Sequence, residues 1–265
     1  MTTRIPVASG SVTLMSYVDG PDDGAPVVFS NSLGTDHSLW DPILPLLPEG
    51  LRLIRYDKRG HGASDVPPAP YAMGQLVSDA EAVCDAHGVK DAVFVGLSVG
   101  GMIAQGLAVK RLDLIRAAVL SNTGARIGTA DLWQERIDTV RREGLDPLVP
   151  GILERWFAPE FRASAAVERW RDLLRATPAE GYAGTCAAIA GTDFYTTTAG
   201  LRLPVLGIAG SEDRATPPDL VRETVDLVPG ARFHLIRRAG HLPCVERPDV
   251  YAEVLTDFLR DVGHV

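Results

Sequence analysis

The sequence predicts an α/β domain: a mainly parallel sheet with a block of helices inserted between two of its strands. Three observations lead there. Short β-branched runs alternate with longer helical patterns over the first half of the chain, the alternation stops near residue 123, and it resumes near residue 203. Strands separated by helices call for right-handed crossovers, which make the strands parallel. At 265 residues, one large domain with an insertion accounts for the length better than two independent domains. The 46% hydrophobic content supplies a buried core and excludes a disordered chain.

Residues 11–18 (SVTLMSYV) and 26–30 (PVVFS) read as strands. The DGPDDGA turn between them is too short for a crossover, so an antiparallel pair is the alternative there. A helical pattern spans 38–47, and a strand follows at 51–56 (LRLIRY). Over 72–88 the spacing predicts a helix with Met73, Leu76, Val77, Ala80, Val83 and Cys84 on one face, which makes Cys84 a core side chain. A strand at 91–97 (DAVFVGL) leads into a helix over 99–110, and 115–121 (IRAAVLS) is the next strand. Residues 124–200 carry helical patterns and no convincing strand. Trp133, Ile137 and Val140 form one apolar stripe there, and Leu153, Trp156 and Phe157 form another. A strand at 203–209, a helix at 217–228, a strand at 231–237 and a helix at 247–262 complete the pattern. The expected organisation is a core of 1–122 and 201–265 with a helical cap over 123–200. An insertion at a strand's C-terminal end overhangs the usual ligand crevice of an open α/β sheet.

The formal net charge of -8 argues against nucleic acid as a partner. Cys84, Cys186 and Cys244 are odd in number and widely spaced, fitting neither a disulfide framework nor a zinc site. A reducing compartment is expected. The opening MTTRIPVASGSVTL has no apolar signal core, and no apolar run is long enough to span a membrane. The expectation is a cytoplasmic protein with no membrane contact. Nothing in the sequence reads out an oligomeric state.

The most informative segment runs from Val93 to Met102 and reads strand, G-x-S-x-G, helix. A sharp strand-to-helix turn strains its central residue and needs small neighbours, here Gly96 and Gly100. It lifts the Ser98 hydroxyl above the sheet edge, over a helix N-terminus. A serine hydroxyl needs an oriented base. Of six histidines, His241 follows the last predicted strand at the same edge as Ser98. His87 at a helix end, His264 in the terminal tail and His234 inside a strand fit a base poorly. His37 and His61, on loops at the productive edge, are the rivals. The base needs a carboxylate to fix its tautomer, and Asp213 lies just after strand 203–209. Some related folds place this acid one strand earlier, where this chain has the uncharged Ser121-Asn122-Thr123. The order Ser98, Asp213, His241 matches one known triad order. An oxyanion hole takes two backbone N–H donors; Val99, after the nucleophile, and Leu33, after strand 26–30, are the candidates.

These residues together resemble the α/β-hydrolase superfamily, over nearly the whole chain. The run Asp57-Lys58-Arg59-Gly60-His61-Gly62-Ala63-Ser64 looks like its D-x-R-G-x-G-x-S loop, and Glu246-Arg247-Pro248 after His241 is similar too. The resemblance implies an α/β-hydrolase fold, a mostly parallel eight-stranded sheet flanked by helices with a helical cap inserted. A narrower likeness rests on Phe29-Ser30-Asn31-Ser32-Leu33-Gly34-Thr35-Asp36, where most relatives have a His-Gly pair. GLSVGGMIAQGLA, AGSEDRATPPDL and the helix start Leu132-Trp133-Gln134-Glu135-Arg136-Ile137 add to it. These resemble the 3-oxoadipate enol-lactonases of aromatic catabolism. The resemblance implies hydrolysis of a small anionic lactone by a serine triad, with no metal and no organic cofactor. The substrate's carboxylate then needs a cation, and Arg136 is proposed to bind it, with Trp133 walling the ring and Ser32 donating to the substrate. Arg126 is the rival cation. Arg214 after the acid and the polar stretch 192–198 depart from the family pattern, and both are expected to alter the pocket rim. A carboxylesterase, a carbon–carbon hydrolase or a cofactor-free perhydrolase would share the triad and differ in the pocket. A non-catalytic receptor on this fold is the alternative of another class.

Overall fold

The computed structural model describes residues 2–265. Its sheet consists of β1 (Thr3–Ser9), β2 (Val12–Asp19), β3 (Ala25–Ser30), β4 (Leu51–Tyr56), β5 (Ala92–Leu97), β6 (Ile115–Ser121), β7 (Val205–Gly210) and β8 (Arg232–Ile236). The spatial order is β1-β2-β4-β3-β5-β6-β7-β8. β1 and β2 form an antiparallel hairpin and β2 is antiparallel to β4. All pairings from β4 to β8 are parallel. Every residue of β5 and β7 is buried, as continuous apolar strands covered on both faces should be.

Three features depart from the sequence expectation. β1 is an additional strand; it lies at the sheet edge, buries only Val7, and accommodates Pro6 because an edge strand can spare an amide. β2 and β3 run in opposite directions but do not pair, because β4 lies between them. The 38–47 pattern forms two short 3-10 turns, His37–Trp40 and Leu44–Leu46, instead of one helix. Its apolar spacing still reports burial, since Leu39, Trp40 and Ile43 are fully buried. Pro42 and Pro45 remove the amides that a continuous helix would use.

Helices α1 (Met73–Ala86) and α2 (Val99–Lys110) form near the expected positions, and all six residues of the α1 apolar face, Cys84 included, are buried. Between β6 and β7 the chain forms six helices and no strand: α3 (Ala130–Glu143), α4 (Val149–Trp156), α5 (Pro159–Arg162), α6 (Val167–Ala176), α7 (Ala179–Ala190) and α8 (Tyr195–Ala199). Their apolar residues Ile137, Val140, Leu153, Trp156 and Phe157 join the same core as the sheet. After β7 come α9 (Pro218–Asp226), α10 (Pro243–Glu246) and α11 (Pro248–Asp261). Among the described residues no helix is long and apolar enough to cross a membrane. The parallel strands β3 to β8 all end at one edge of the sheet. The segments that follow them therefore meet at one crevice.

Candidate active site

Ser98 sits between β5 and α2 with φ 60° and ψ -120°, a strained conformation for a side-chain-bearing residue. The glycines around it are obligatory. A Cβ on Gly96 would lie 2.1 Å from the Gly100 carbonyl oxygen, and one on Gly100 would lie 2.0 Å from that of Ser30. Ser98 caps the positive end of α2 and is 8% exposed, its residual surface opening into a cavity of about 390 Å³. That size suits a small-molecule site. Ser32, Leu33, Ser98, Trp133, Arg136 and His241 all line it.

His241, after β8, is buried, and its Nδ1 lies 2.8 Å from Asp213 Oδ2. Asp213, after β7, is held from several sides. Its Oδ1 accepts the amides of Ala215 and Thr216, and its Oδ2 accepts the Thr216 hydroxyl and Asn122 Nδ2. Burial alone would raise the carboxyl pKa; the His241 charge and hydrogen bond, with those donors, bring it below its ordinary value. Asp213 therefore stands as a carboxylate. Facing it, His241 carries its proton on Nδ1, which leaves Nε2 as the basic nitrogen. No hydrogen bond joins Ser98 Oγ to His241 among the described residues, although both face the cavity. Such bonds often tighten only when substrate is bound.

The His241 segment is tied to the helices between β6 and β7. His241 N donates to the Trp156 carbonyl at 2.6 Å. Glu246 accepts the Gly240 amide at 2.7 Å and the Ala158 amide at 2.9 Å. A Cβ on Gly240 would meet the Trp156 oxygen at 2.4 Å, so the approach requires glycine.

Leu33 and Val99 have amides that donate to no other described group. Their neighbours are committed: Gly34 N donates to His61 Nε2 and Thr35 N to the Ser32 carbonyl. Trp133 is anchored by Nε1 donating to the Ile127 carbonyl at 2.6 Å, and the Arg136 guanidinium lies 5.0 Å from the centre of its ring. Arg136 also donates to the Tyr182 hydroxyl at 3.4 Å. Arg126 is exposed and outside the cavity wall. Arg214 pairs with Glu154 at the surface and, like residues 192–198, contributes nothing to the wall, so neither departure alters the pocket rim.

Sequence reasoning missed three residues here. Arg155, on α4, lines the cavity; burial and the charge of Arg136 push its pKa below the ordinary value. Nothing in the sequence separates it from the surface arginines around it. Asn122 and Thr216 both bond Asp213, and both left a signal. Asn122 ends β6 where other chains place the acid, and Thr216 follows Asp213 at the spacing of a side-chain-capped turn.

The other histidines are engaged elsewhere. His37 Nδ1 lies 3.0 Å from Asp57, His87 Nε2 lies 2.8 Å from Ser16 Oγ, and His264 Nε2 lies 3.0 Å from the Pro26 carbonyl. His234 is exposed on β8. His61 is buried, and burial with the neighbouring Lys58 charge lowers its pKa to about 3. In the unfolded chain it titrates at about 6.5. The unfolded state therefore binds a proton that the folded state refuses between these values. The associated stability is complete above pH 6.5 and drains away as pH falls toward 3, by up to ~1.4 kcal/mol per pH unit. In urea unfolding, the wild type is expected to lose about 2 kcal/mol more than His61→Gln between pH 7 and pH 5. Equal losses would show that His61 titrates normally.

A model of the alpha/beta hydrolase family matches residues 27–254. The chain is 33% identical over 252 residues to 3-oxoadipate enol-lactonase 1 of Acinetobacter baylyi, covering 94% of each chain. Among solved structures it is similar to a hydrolase from Pseudomonas aeruginosa, with 38% identity and a TM-score of 0.92 over 97% of this chain and 98% of that one. It is also similar to an enol-lactonase from Burkholderia xenovorans, with 36% identity and a TM-score of 0.93 over 97% and 100% of the two chains.

Proposed function

The chain belongs to the alpha/beta hydrolase family, and from that premise we propose that it hydrolyses 3-oxoadipate enol-lactone to 3-oxoadipate, a step of aromatic catabolism, using Ser98, His241 and Asp213. One observation supports the choice of an anionic substrate above the rest. Arg136 and Arg155 face the cavity that holds Ser98, and neither forms an ion pair with a carboxylate among the described residues. Glu135 also lines the wall, but without pairing to either. Two like charges converging on one cavity repel each other and call for an anionic ligand. The inserted helices act as a cap that supplies both.

In this reading His241 Nε2 takes the Ser98 proton as Oγ attacks the lactone carbonyl. The oxyanion is held by the Leu33 and Val99 amides. Collapse breaks the ring C–O bond, and the departing enolate oxygen takes the proton from His241 and then tautomerises to the ketone. The opened chain stays esterified to Ser98. His241 next deprotonates a water that attacks the acyl carbon; the C–Oγ bond breaks, Ser98 Oγ takes the proton back from His241, and the second carboxylate is released. Asp213 remains ionised throughout and stabilises the imidazolium.

The test is steady-state hydrolysis of the enol-lactone beside a neutral ester. A charge-assisted contact is worth about 1.5–3 kcal/mol, so Arg136→Ala and Arg155→Ala should each raise the lactone KM by about 10- to 100-fold. The neutral ester should be nearly unaffected. Brisk ester cleavage with poor lactone turnover by the wild type, or an unchanged lactone KM in both variants, would overturn the reading in favour of a carboxylesterase.

A further inference from the structure

A buried lysine lies behind the proposed oxyanion side of the site, and the reaction steps above make no use of it. Lys58, in the loop after β4, is 1% exposed. Its Nζ donates to the Ser32 carbonyl at 2.9 Å, and no carboxylate lies within ion-pair distance of it among the described residues. Burying an ammonium group without a paired anion is costly, and an apolar side chain would fill the same space without that cost. Burial lowers the lysine pKa to about 7, against the opposing pull of Asp57 and Asp36.

The group that Lys58 holds explains its presence. The Ser32 carbonyl and the Leu33 N–H belong to one peptide unit. A trans peptide is planar, so its C=O and N–H point in opposite directions. Fixing the oxygen from behind aims the amide forward. The same oxygen accepts Thr35 Oγ1 at 2.9 Å and Thr35 N at 3.3 Å, so the plane is gripped at three points. The next amide, Gly34 N, is drawn off to His61 Nε2 at 3.0 Å. Lys58 and His61 come from the same loop, and between them they leave Leu33 N free while committing its neighbour. In its protonated form Lys58 also polarises the peptide and makes its N–H a stronger donor.

We infer that Lys58 is a positioning residue, aiming and polarising the Leu33 amide toward the oxyanion that forms above Ser98. This rests on the proposed role of Leu33 in the oxyanion hole. The device acts on a charge that exists only near the transition state, so its removal affects turnover and not substrate binding.

The experiment compares full-length wild type, Lys58→Met, Lys58→Gln and Ser98→Ala on p-nitrophenyl acetate and on the enol-lactone. It also measures inhibition by a short alkylboronic acid, whose adduct with a serine is tetrahedral and anionic. Losing one oxyanion donor outright costs about 100- to 1,000-fold, so misaiming one in Lys58→Met should lower kcat by roughly 10- to 100-fold with KM held within about 2-fold. The boronate Ki should rise by a similar factor. Lys58→Gln keeps a neutral donor and should fall between; if Lys58→Met does not fold, its kcat–KM split decides alone. A folded variant with wild-type kcat and boronate Ki overturns the inference, as does a loss shared equally by KM. Failure of the triad reading is distinguishable, because Ser98→Ala would then retain activity on both substrates.

Discussion

Ser98→Ala is expected to reduce turnover of lactone and ester alike by on the order of a millionfold in kcat, leaving only what the oxyanion donors and binding contribute. In the proposed mechanism the Ser98 hydroxyl is the nucleophile, and a strained backbone and two glycines present it to the cavity. Ser32 also lines the cavity, but it lies on the loop after β3 and lacks the positive-φ turn at a helix N-terminus that presents Ser98. The substitution leaves untouched the two arginines proposed to bind the substrate's carboxylate. Adipate, a dicarboxylate of product length, should therefore bind the variant as it binds the wild type in a calorimetric titration. Retention of even one per cent of wild-type kcat, beyond contamination, would assign the chemistry to another nucleophile.

Asp213→Asn should cost about 10,000-fold in kcat with little change in the backbone. Its carboxylate oxygens accept five hydrogen bonds, two from amides on Oδ1 and three on Oδ2 from Asn122, Thr216 and His241. An asparagine must turn an NH2 group toward one of these donor sets. If it faces Oδ2's partners, His241 loses its Nδ1–H acceptor and adopts the tautomer that protonates Nε2, which cannot serve as a base. If it faces the Ala215 and Thr216 amides, the turn after β7 is opposed by two donors. Stopped-flow acylation with p-nitrophenyl acetate reads this step directly. The expected signature is loss of the acylation burst while the protein stays folded. A burst near the wild-type rate would show that His241 keeps its tautomer by other means. Thr216 Oγ1, 3.2 Å from Nδ1, would be the first place to look.

Local chemistry and long-range pairing differed in how far they could be read from sequence. The Ser98 turn was legible because Gly96 and Gly100 are dictated by collisions a few residues away. The places of Asp213 and His241 were legible because one follows the apolar run of β7 and the other the next β-forming segment, β8, so both lie at the edge where the parallel strands end. The insertion of β4 between β2 and β3 was not, since hydrogen-bond partners distant in sequence leave no periodic trace. β1 was missed because Pro6 interrupts its two larger apolar residues, Ile5 and Val7, and a proline within a short run argues against a strand. The 38–47 segment shows the reverse error, an apolar helical spacing that prolines prevent from becoming a helix. In the site, Arg155 was hidden because only the folding of α4 over the crevice separates it from the other arginines. Lys58 was hidden for a different reason. Its partner is a backbone carbonyl, which every residue possesses and no sequence displays.

The stitching of the His241 segment to the Trp156–Ala158 backbone limits how substrate can get in. Two hydrogen bonds cross that seam, from His241 N to the Trp156 carbonyl and from Ala158 N to Glu246, and Glu246 also accepts the Gly240 amide within its own segment. A door hinged so that α4 swings outward would break them and carry the base away from the nucleophile. The site would then have to rebuild its own catalytic machinery at each closing. A doorway on the α3 side costs nothing of the kind. There the wall is made of Leu132, Trp133, Glu135, Arg136 and Thr139, and none of them bonds the triad or its supporting loops. The two walls of the chamber are thus constrained unequally: the α4 wall, which carries Arg155, is bonded to the His241 segment, and the α3 wall, which carries Arg136, is not.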